Sequence, residues 1–121
     1  MNSETHSGGC MCGAVRFIAH GAPLLVANCH CKDCRRATGA AFTTFVDFPR
    51  DKLEFIQPPA AYQSSPGAER LYCKICGTPL AYRGESSADE INMVLGAFDD
   101  PQQFTPSEEC HINSALWKTQ P

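Results

Sequence analysis

Short runs of apolar residues, separated by glycine, proline and charged residues, recur along most of the chain. Runs of this kind that are rich in Val, Phe, Thr and Tyr are typical of β-strands. They predict strands at residues 14–19 and 25–29, and in AFTTFVDF, which Pro49 ends. Further strands are expected in LEFI, AYQS, ERLYC, LAYR and INMVLGAF.

One segment departs from this pattern. KDCRRATG begins at Lys32, has no β-branched residue before Thr38 and stops at Gly39, which predicts one short helix. The polar residues 1–8 predict a flexible tail, so that residues 9–121 form a single domain. The whole pattern predicts a mainly β fold: a compact antiparallel domain of short strands with one short helix.

Composition narrows the class of protein. A chain of 121 residues, 43% hydrophobic and 19% charged, is typical of one globular domain with a core. Its net charge of -3 gives no electrostatic case for a nucleic-acid partner. No run approaches the ~20 apolar residues of a membrane span, and the polar start lacks the pattern of a secretion signal. We therefore expect a cytoplasmic protein without a membrane partner.

The chain has eight cysteines, which in a cytosolic protein bind metal more often than they form disulfides. Seven of them fall into three clusters: Cys10 and Cys12; Cys29, Cys31 and Cys34; Cys73 and Cys76. Such spacings let two thiolates from one turn reach the same ion. Gly13 and Gly77 follow the first and last clusters and allow a turn through positive φ, with backbone N–H groups directed at sulfur. These two clusters together predict one closed structural zinc site.

The middle cluster, Cys29, Cys31 and Cys34, is a tripod with no adjacent fourth ligand. Three protein ligands and an exchangeable position are the arrangement of catalytic zinc. Strand-like alternation directs His30 away from the three sulfurs. Closure of the site by Cys110 or His111 remains an alternative, as do redox-active or metal-free thiols.

Three cations lie in or just after the tripod: Lys32, Arg35 and Arg36. They are candidates to balance the charge of the thiolates and to bind the carboxylates of an acidic thiol. The alternative is that they only solvate one face of the helix. Thr38 and Tyr82 are candidates to hydrogen-bond a developing oxyanion, although Thr38 is equally suited to capping its own helix.

Three motifs, GGC-x-CGAVRF, CHC-x-x-CRR-x-TGAAF and C-x-x-CGTPL, closely resemble the glutathione-dependent formaldehyde-activating enzyme family, which includes centromere protein V. The resemblance implies a β fold shared with methionine-R-sulfoxide reductases. It also implies a structural zinc at the outer clusters and a second zinc at the tripod. The implied activity is condensation of formaldehyde with glutathione to S-hydroxymethylglutathione, which is carbon–sulfur lyase chemistry.

The leading hypothesis is thus a zinc-dependent enzyme that acts on a small thiol, such as glutathione, and an aldehyde, or on their adduct. One alternative is a non-catalytic, zinc-stabilised binding module that uses Lys32, Arg35 and Arg36. Another is a thiol-redox protein, similar to methionine sulfoxide reductases, that uses Cys110.

Overall fold

The computed structural model describes residues 4–117. Within that range the chain forms ten strands and one α-helix, joined by short turns. In chain order these are β1 Thr5–Gly9, β2 Arg16–His20, β3 Leu25–Cys29, α1 Lys32–Thr38, β4 Thr43–Pro49, β5 Leu53–Phe55, β6 Ala60–Ser65, β7 Ala68–Tyr72, β8 Pro79–Gly84, β9 Glu90–Val94 and β10 Glu108–Cys110.

The strands form two sheets. One has three strands in the order β1-β2-β5, and the other has seven in the order β10-β3-β4-β9-β8-β7-β6. Neighbouring strands are antiparallel except for β10, which pairs with β3 in parallel and places Cys110 opposite Cys29. The structure thus confirms the predicted mainly β, antiparallel fold and adds a parallel edge strand that the pattern did not predict.

Alternation gives the seven-stranded sheet two different faces. One row of cross-strand neighbours is apolar and belongs to the core: Val26, Val46, Met93, Ala81 and Leu71. The adjacent row carries side chains on the opposite face and is mostly polar: Leu25, Asp47, Asn92, Tyr82, Arg70 and Tyr62. The core contains side chains from both sheets, including the fully buried Phe17 of β2 and Phe48 of β4.

The helix lies where the polar segment predicts it. The Cys31 sulfur accepts a hydrogen bond from the backbone N–H of Cys34 and caps the first turn. Gly39 ends the helix with φ 70°, and its N–H donates to the carbonyl of Arg35. Strand β3 also lies where it was predicted, so a strand and a helix meet at the tripod.

The prediction of a flexible N-terminal tail is wrong for residues 5–8, which belong to β1. Residues 1–3 of the predicted tail lie outside the described range. Thr5–Gly9 pairs with β2 through five successive residues. His6 is only 5% exposed, with its ring edge-on to Phe104 at 5.0 Å between centroids. Gly8 lies against Phe17 and the carbonyl of Ala97, where no side chain fits. The polar, glycine-rich sequence is typical of a tail, but glycine at position 8 permits a close approach of the backbone to the core.

Candidate functional site

The outer cysteines meet in one group, the four-sulfur cluster, formed by Cys10, Cys12, Cys73 and Cys76. Their sulfur atoms all lie within 4.8 Å of one another, as the ligands of a single ion must. One pair follows β1 and the other follows β7, so the cluster joins the two sheets. The structure therefore brings together the same four residues that the spacing predicted.

Both glycine turns of this cluster have the expected conformation, with φ 84° at Gly13 and 81° at Gly77. The backbone N–H of Val15 donates to the Cys10 sulfur at 3.2 Å. The N–H groups of Ile75 and Cys76 approach the Cys73 sulfur at 3.4 and 3.5 Å. Such donors stabilise thiolates and orient them before an ion arrives.

Thr78 connects the two turns, and sequence reasoning missed it. Its hydroxyl lies 3.1 Å from the Cys76 sulfur and accepts a hydrogen bond from the Met11 N–H at 3.0 Å. The hydroxyl contact is the main cause that lowers the pKa of the Cys76 thiol to about 5. The only available signal was the position of Thr78 directly after the Cys-Gly turn, in CGTP.

The tripod is assembled by one continuous stretch of chain. Cys29 ends β3, Cys31 caps α1 and Cys34 lies in the first turn of that helix. The three sulfur atoms lie within 4.8 Å of one another, with Cys34 and Cys29 only 3.4 Å apart. Three converging thiols with a backbone N–H donor form a ligand set that fits zinc.

The Cys29 and Cys34 thiols of the tripod have pKa values shifted in opposite directions. The Cys34 thiol donates to the Cys29 sulfur, which is the main cause that lowers the pKa of Cys29 to about 5. The pKa of Cys34 is raised, first because it gives that hydrogen bond and second because it is buried. A thiolate is therefore already favoured at Cys29 at neutral pH.

The other predicted neighbours do not join the tripod. Cys110 and His111 line the same cavity, but neither brings a ligand atom within 4.8 Å of all three sulfurs. His30 points away, as alternation predicts, and its Nε2 lies 2.6 Å from the Glu109 carboxylate. That contact and the Asn28–Glu109 hydrogen bond hold β10 beside β3.

The tripod opens on a cavity of about 570 Å³, which we call the tripod cavity. Its wall includes the polar row of the seven-stranded sheet, namely Asp47, Asn92, Tyr82 and Arg70. An adjoining cavity of about 480 Å³, the side cavity, runs beneath α1. The two share Asp33, Phe45, Ser64 and Arg70. A small molecule thus has room beside the sulfurs.

The three predicted cations occupy different environments. Arg35 donates from one nitrogen to the carbonyls of His30 and Ser114, at 2.8 and 2.7 Å. Arg36 lines the side cavity, whereas Lys32 is exposed and does not line either cavity. Only Arg36 is therefore placed to meet a bound molecule.

The two candidate hydroxyls also differ. The Thr38 hydroxyl lies 3.0 Å from the carbonyl of Cys34 and 2.8 Å from the hydroxyl of Thr43, so it serves the helix. Thr38 lines the side cavity, whereas Tyr82 lines the tripod cavity together with the three sulfurs. Of the two, Tyr82 is better placed to contact a molecule beside the sulfurs.

Arg70, from β7, is a second residue that sequence reasoning missed. Both terminal nitrogens of its guanidinium lie 3.8 Å from the Cys34 sulfur, and the group stacks 4.8 Å above the Tyr82 ring. It lines both cavities. Alternation in ERLYC was a usable signal, because an arginine next to the buried Leu71 must face the opposite side of the strand.

Taken together, fold and site define a class: a mainly β protein with two cysteine clusters that could hold metal, one of them open to a cavity. The family model described as glutathione-dependent formaldehyde-activating enzyme matches residues 5–114. The chain belongs to that family.

Two known proteins are similar to this chain. An uncharacterized lyase of Schizosaccharomyces pombe is 32% identical over 92 residues, covering 74% of this chain and 67% of the relative. A crystal structure of a Rhodobacter sphaeroides protein superposes with a TM-score of 0.68 at 20% identity, covering 85% of this chain and 98% of the other, which supports the fold alone. Family and relative support a glutathione-related, lyase-type function. Among the described residues, no helix is both long and apolar enough to cross a bilayer.

Proposed function

We propose that this protein catalyses the reversible addition of a small thiol, with glutathione as the leading candidate, to an aldehyde such as formaldehyde. The observation that carries the proposal is the tripod, whose three sulfurs face a cavity large enough for a thiol-containing molecule. The family match and the lyase relative support the same class of reaction.

In this proposal the four-sulfur cluster holds a structural zinc, and Cys29, Cys31 and Cys34 hold a second one. A zinc ion at the tripod would lower the pKa of a coordinating thiol and make a thiolate available at neutral pH. The backbone N–H of Cys34 donates to the Cys31 sulfur and holds it in place for that purpose.

The addition forms one carbon–sulfur bond. The sulfur attacks the carbonyl carbon, the carbonyl π electrons move to oxygen, and the proton lost by the thiol is balanced by the proton gained by that oxygen. Tyr82 is our candidate to hydrogen-bond the oxygen as charge develops, because its side chain lines the tripod cavity. The reverse reaction cleaves the same bond and releases the aldehyde.

The three cations near the tripod have different roles in this proposal. Arg36 is our candidate to bind a carboxylate of the thiol, because it lines the side cavity. Arg35 instead fixes the segment around Ser114 beside the helix. Lys32, which is exposed and lines neither cavity, contributes only to the electrostatic potential at the helix surface.

The test uses the zinc-loaded full chain with formaldehyde and glutathione. Exchange between the free and adduct states, followed by NMR with ¹³C-labelled formaldehyde, should exceed the spontaneous rate. Cys31→Ser should abolish this acceleration while the protein stays folded. Acceleration that survives in Cys31→Ser would overturn the proposal.

Cys110→Ser is the discriminating control in the same assay. Cys110 lies opposite Cys29 in the β3–β10 pair but outside the tripod. We expect the Cys110→Ser protein to retain the exchange activity. If reduction of methionine sulfoxide were found and this variant abolished it, the thiol-redox alternative would replace our proposal.

A further inference from the structure

The arginines of this protein fall into two groups. Four of the six direct their guanidinium at protein oxygen atoms: Arg16 at Asp99, Arg83 at Glu69, Arg35 at the carbonyls of His30 and Ser114, and Arg50 at the carbonyls of Gly84 and Glu90. Arg36 and Arg70 have no such oxygen partner within residues 4–117. These two line the same side cavity.

The Arg70 guanidinium lies between the Tyr82 ring and the Cys34 sulfur. Arg70 is half-buried, its guanidinium stacks 4.8 Å above the Tyr82 ring, and it makes only long contacts of 3.8 Å to the Cys34 sulfur. A guanidinium has five N–H donors in a planar fork that matches a carboxylate. Within residues 4–117, no protein oxygen accepts a hydrogen bond from these donors, so the guanidinium can still bind a carboxylate.

The side cavity has the chemistry of a pocket for an organic anion. Its walls include apolar and aromatic side chains from Leu71, Tyr62, Tyr72, Pro79 and Val94. A pocket of this type buries the body of a small ligand, while a few polar groups fix its orientation.

One acidic residue, Asp33, also lines the side cavity. It is exposed, and it lies at the boundary shared with the tripod cavity. No ion pair joins it to Arg36 or Arg70 in the described structure, where such pairs extend to 4.0 Å between nitrogen and oxygen. The two guanidinium groups therefore remain available to a ligand.

We propose that the side cavity binds the carboxylate-bearing part of the thiol, with Arg36 and Arg70 as its carboxylate partners, and that Arg70 selects acidic thiols over neutral ones. The sulfur would lie in the tripod cavity, which meets the side cavity at Arg70. This inference rests on the proposed function for the position of the sulfur. It adds the residue and the cavity that distinguish one thiol from another.

The test compares two thiols that differ by a single carboxylate, N-acetylcysteine and N-acetylcysteamine. Binding to the zinc-loaded full chain is measured by NMR titration, with zinc content checked before and after. Wild-type protein should bind the carboxylate thiol about tenfold tighter or more, as one charge-assisted hydrogen-bonded pair provides. Arg70→Gln should remove this preference, and Arg70→Lys should restore part of it, since lysine keeps the charge but not the fork.

Arg83→Gln is the matched control, because Arg83 already pairs with Glu69 and does not line either cavity. It should keep the wild-type preference. Arg36→Gln should lower the preference less than Arg70→Gln, since Arg36 is exposed. If Arg70→Gln weakened both thiols equally, or only reduced the zinc content, Arg70 would be a counter-ion of Cys34 and the proposal would be overturned.

A third probe separates this inference from the proposed function. N-acetylalanine carries the carboxylate without a thiol and should bind weakly to wild-type protein but not to Arg70→Gln. Binding of the carboxylate probes without any aldehyde turnover would overturn the proposed function and leave the anion site standing. Equal binding of both thiols by wild-type protein, or no binding of any carboxylate, would overturn the anion site.

Discussion

The four-sulfur cluster and the tripod use the same side chain but are assembled in different ways. Residues far apart in the chain build the four-sulfur cluster, with one pair of cysteines after β1 and the other after β7. One short stretch builds the tripod, from the end of β3 to the first turn of α1. None of the four outer cysteines lines the tripod cavity or the side cavity, whereas all three tripod cysteines line the tripod cavity.

The difference indicates that a metal in the four-sulfur cluster would stabilise the fold, whereas a metal in the tripod would serve the chemistry. An ion that joins two distant turns adds its binding energy to folding. An ion held by one local segment adds less to global stability, because the segment is already positioned by β3, α1 and β10. In our proposal, the same ligand chemistry therefore supports stability in one place and reactivity in the other.

The largest expected effect comes from Cys73→Ser, which removes a sulfur of the four-sulfur cluster from a residue that is 1% exposed in the core. Structural zinc contributes roughly 10 to 16 kcal/mol to the folding of small zinc domains, comparable to the whole stability of a domain. We expect no cooperative thermal unfolding by circular dichroism and less zinc per chain. Cys110→Ser is the control and should unfold cooperatively; a folded Cys73→Ser protein would contradict the comparison.

Cys31→Ser should separate the two clusters most cleanly. Serine is a good N-cap residue, so it replaces the capping role of the Cys31 sulfur on α1. We expect a folded protein whose zinc falls from two ions per chain to one by elemental analysis, with the acceleration of the thiol–aldehyde exchange abolished. If the wild-type and Cys31→Ser proteins both contained one zinc per chain, the tripod would hold no metal and the proposed mechanism would be wrong.

Thr78→Val tests how strongly the outer turns depend on each other. It removes the hydroxyl that contacts the Cys76 sulfur and accepts from the Met11 N–H. Zinc affinity of the four-sulfur cluster should fall about 10- to 100-fold, as for other partners of metal ligands, in competition with a chromophoric chelator. The exposed Thr105→Val is the matched control, and an equal affinity in both variants would show that Thr78 does not support the site.

The smallest expected effect is the change in stability caused by Asp47→Asn, a substitution in the wall of the tripod cavity. Burial is the main cause that raises the pKa of Asp47 to about 6, and its Oδ1 has no hydrogen-bond partner in the described structure. A carboxyl with a raised folded-state pKa destabilises the protein increasingly as pH rises from about 4 to 6, and fully above that range. Asp47→Asn should therefore stabilise the protein by about 1 kcal/mol at pH 8, a value discounted for partial exposure, and by much less at pH 4.

Urea denaturation at the two pH values measures this difference. The exposed Asp51→Asn serves as control and should show no such pH dependence. A stabilisation that is equal at pH 4 and pH 8 would mean that the charge of Asp47 is not its cause.

Local signals were sufficient for much of this protein. The cysteine spacing predicted which sulfurs share a turn, because two ligands in one turn are a local property. The glycines after Cys12 and Cys76 marked the two turns that meet in the four-sulfur cluster. The apolar runs predicted most strands, and the polar run from Lys32 predicted the helix, for the same reason. The tail was wrong because His6 and Gly8 owe their burial to Phe104 and Phe17, which are far away in the chain.

Tertiary structure decided everything that depends on which strands become neighbours. The sequence alone shows that seven cysteines fall into three short clusters, since that depends only on spacing. It did not determine that Arg70 would reach Cys34, that Thr78 would join the two turns, or that Arg35 would bind backbone carbonyls. These contacts arise from pairing between segments that can be far apart in the chain, and no periodicity within a single segment records that pairing.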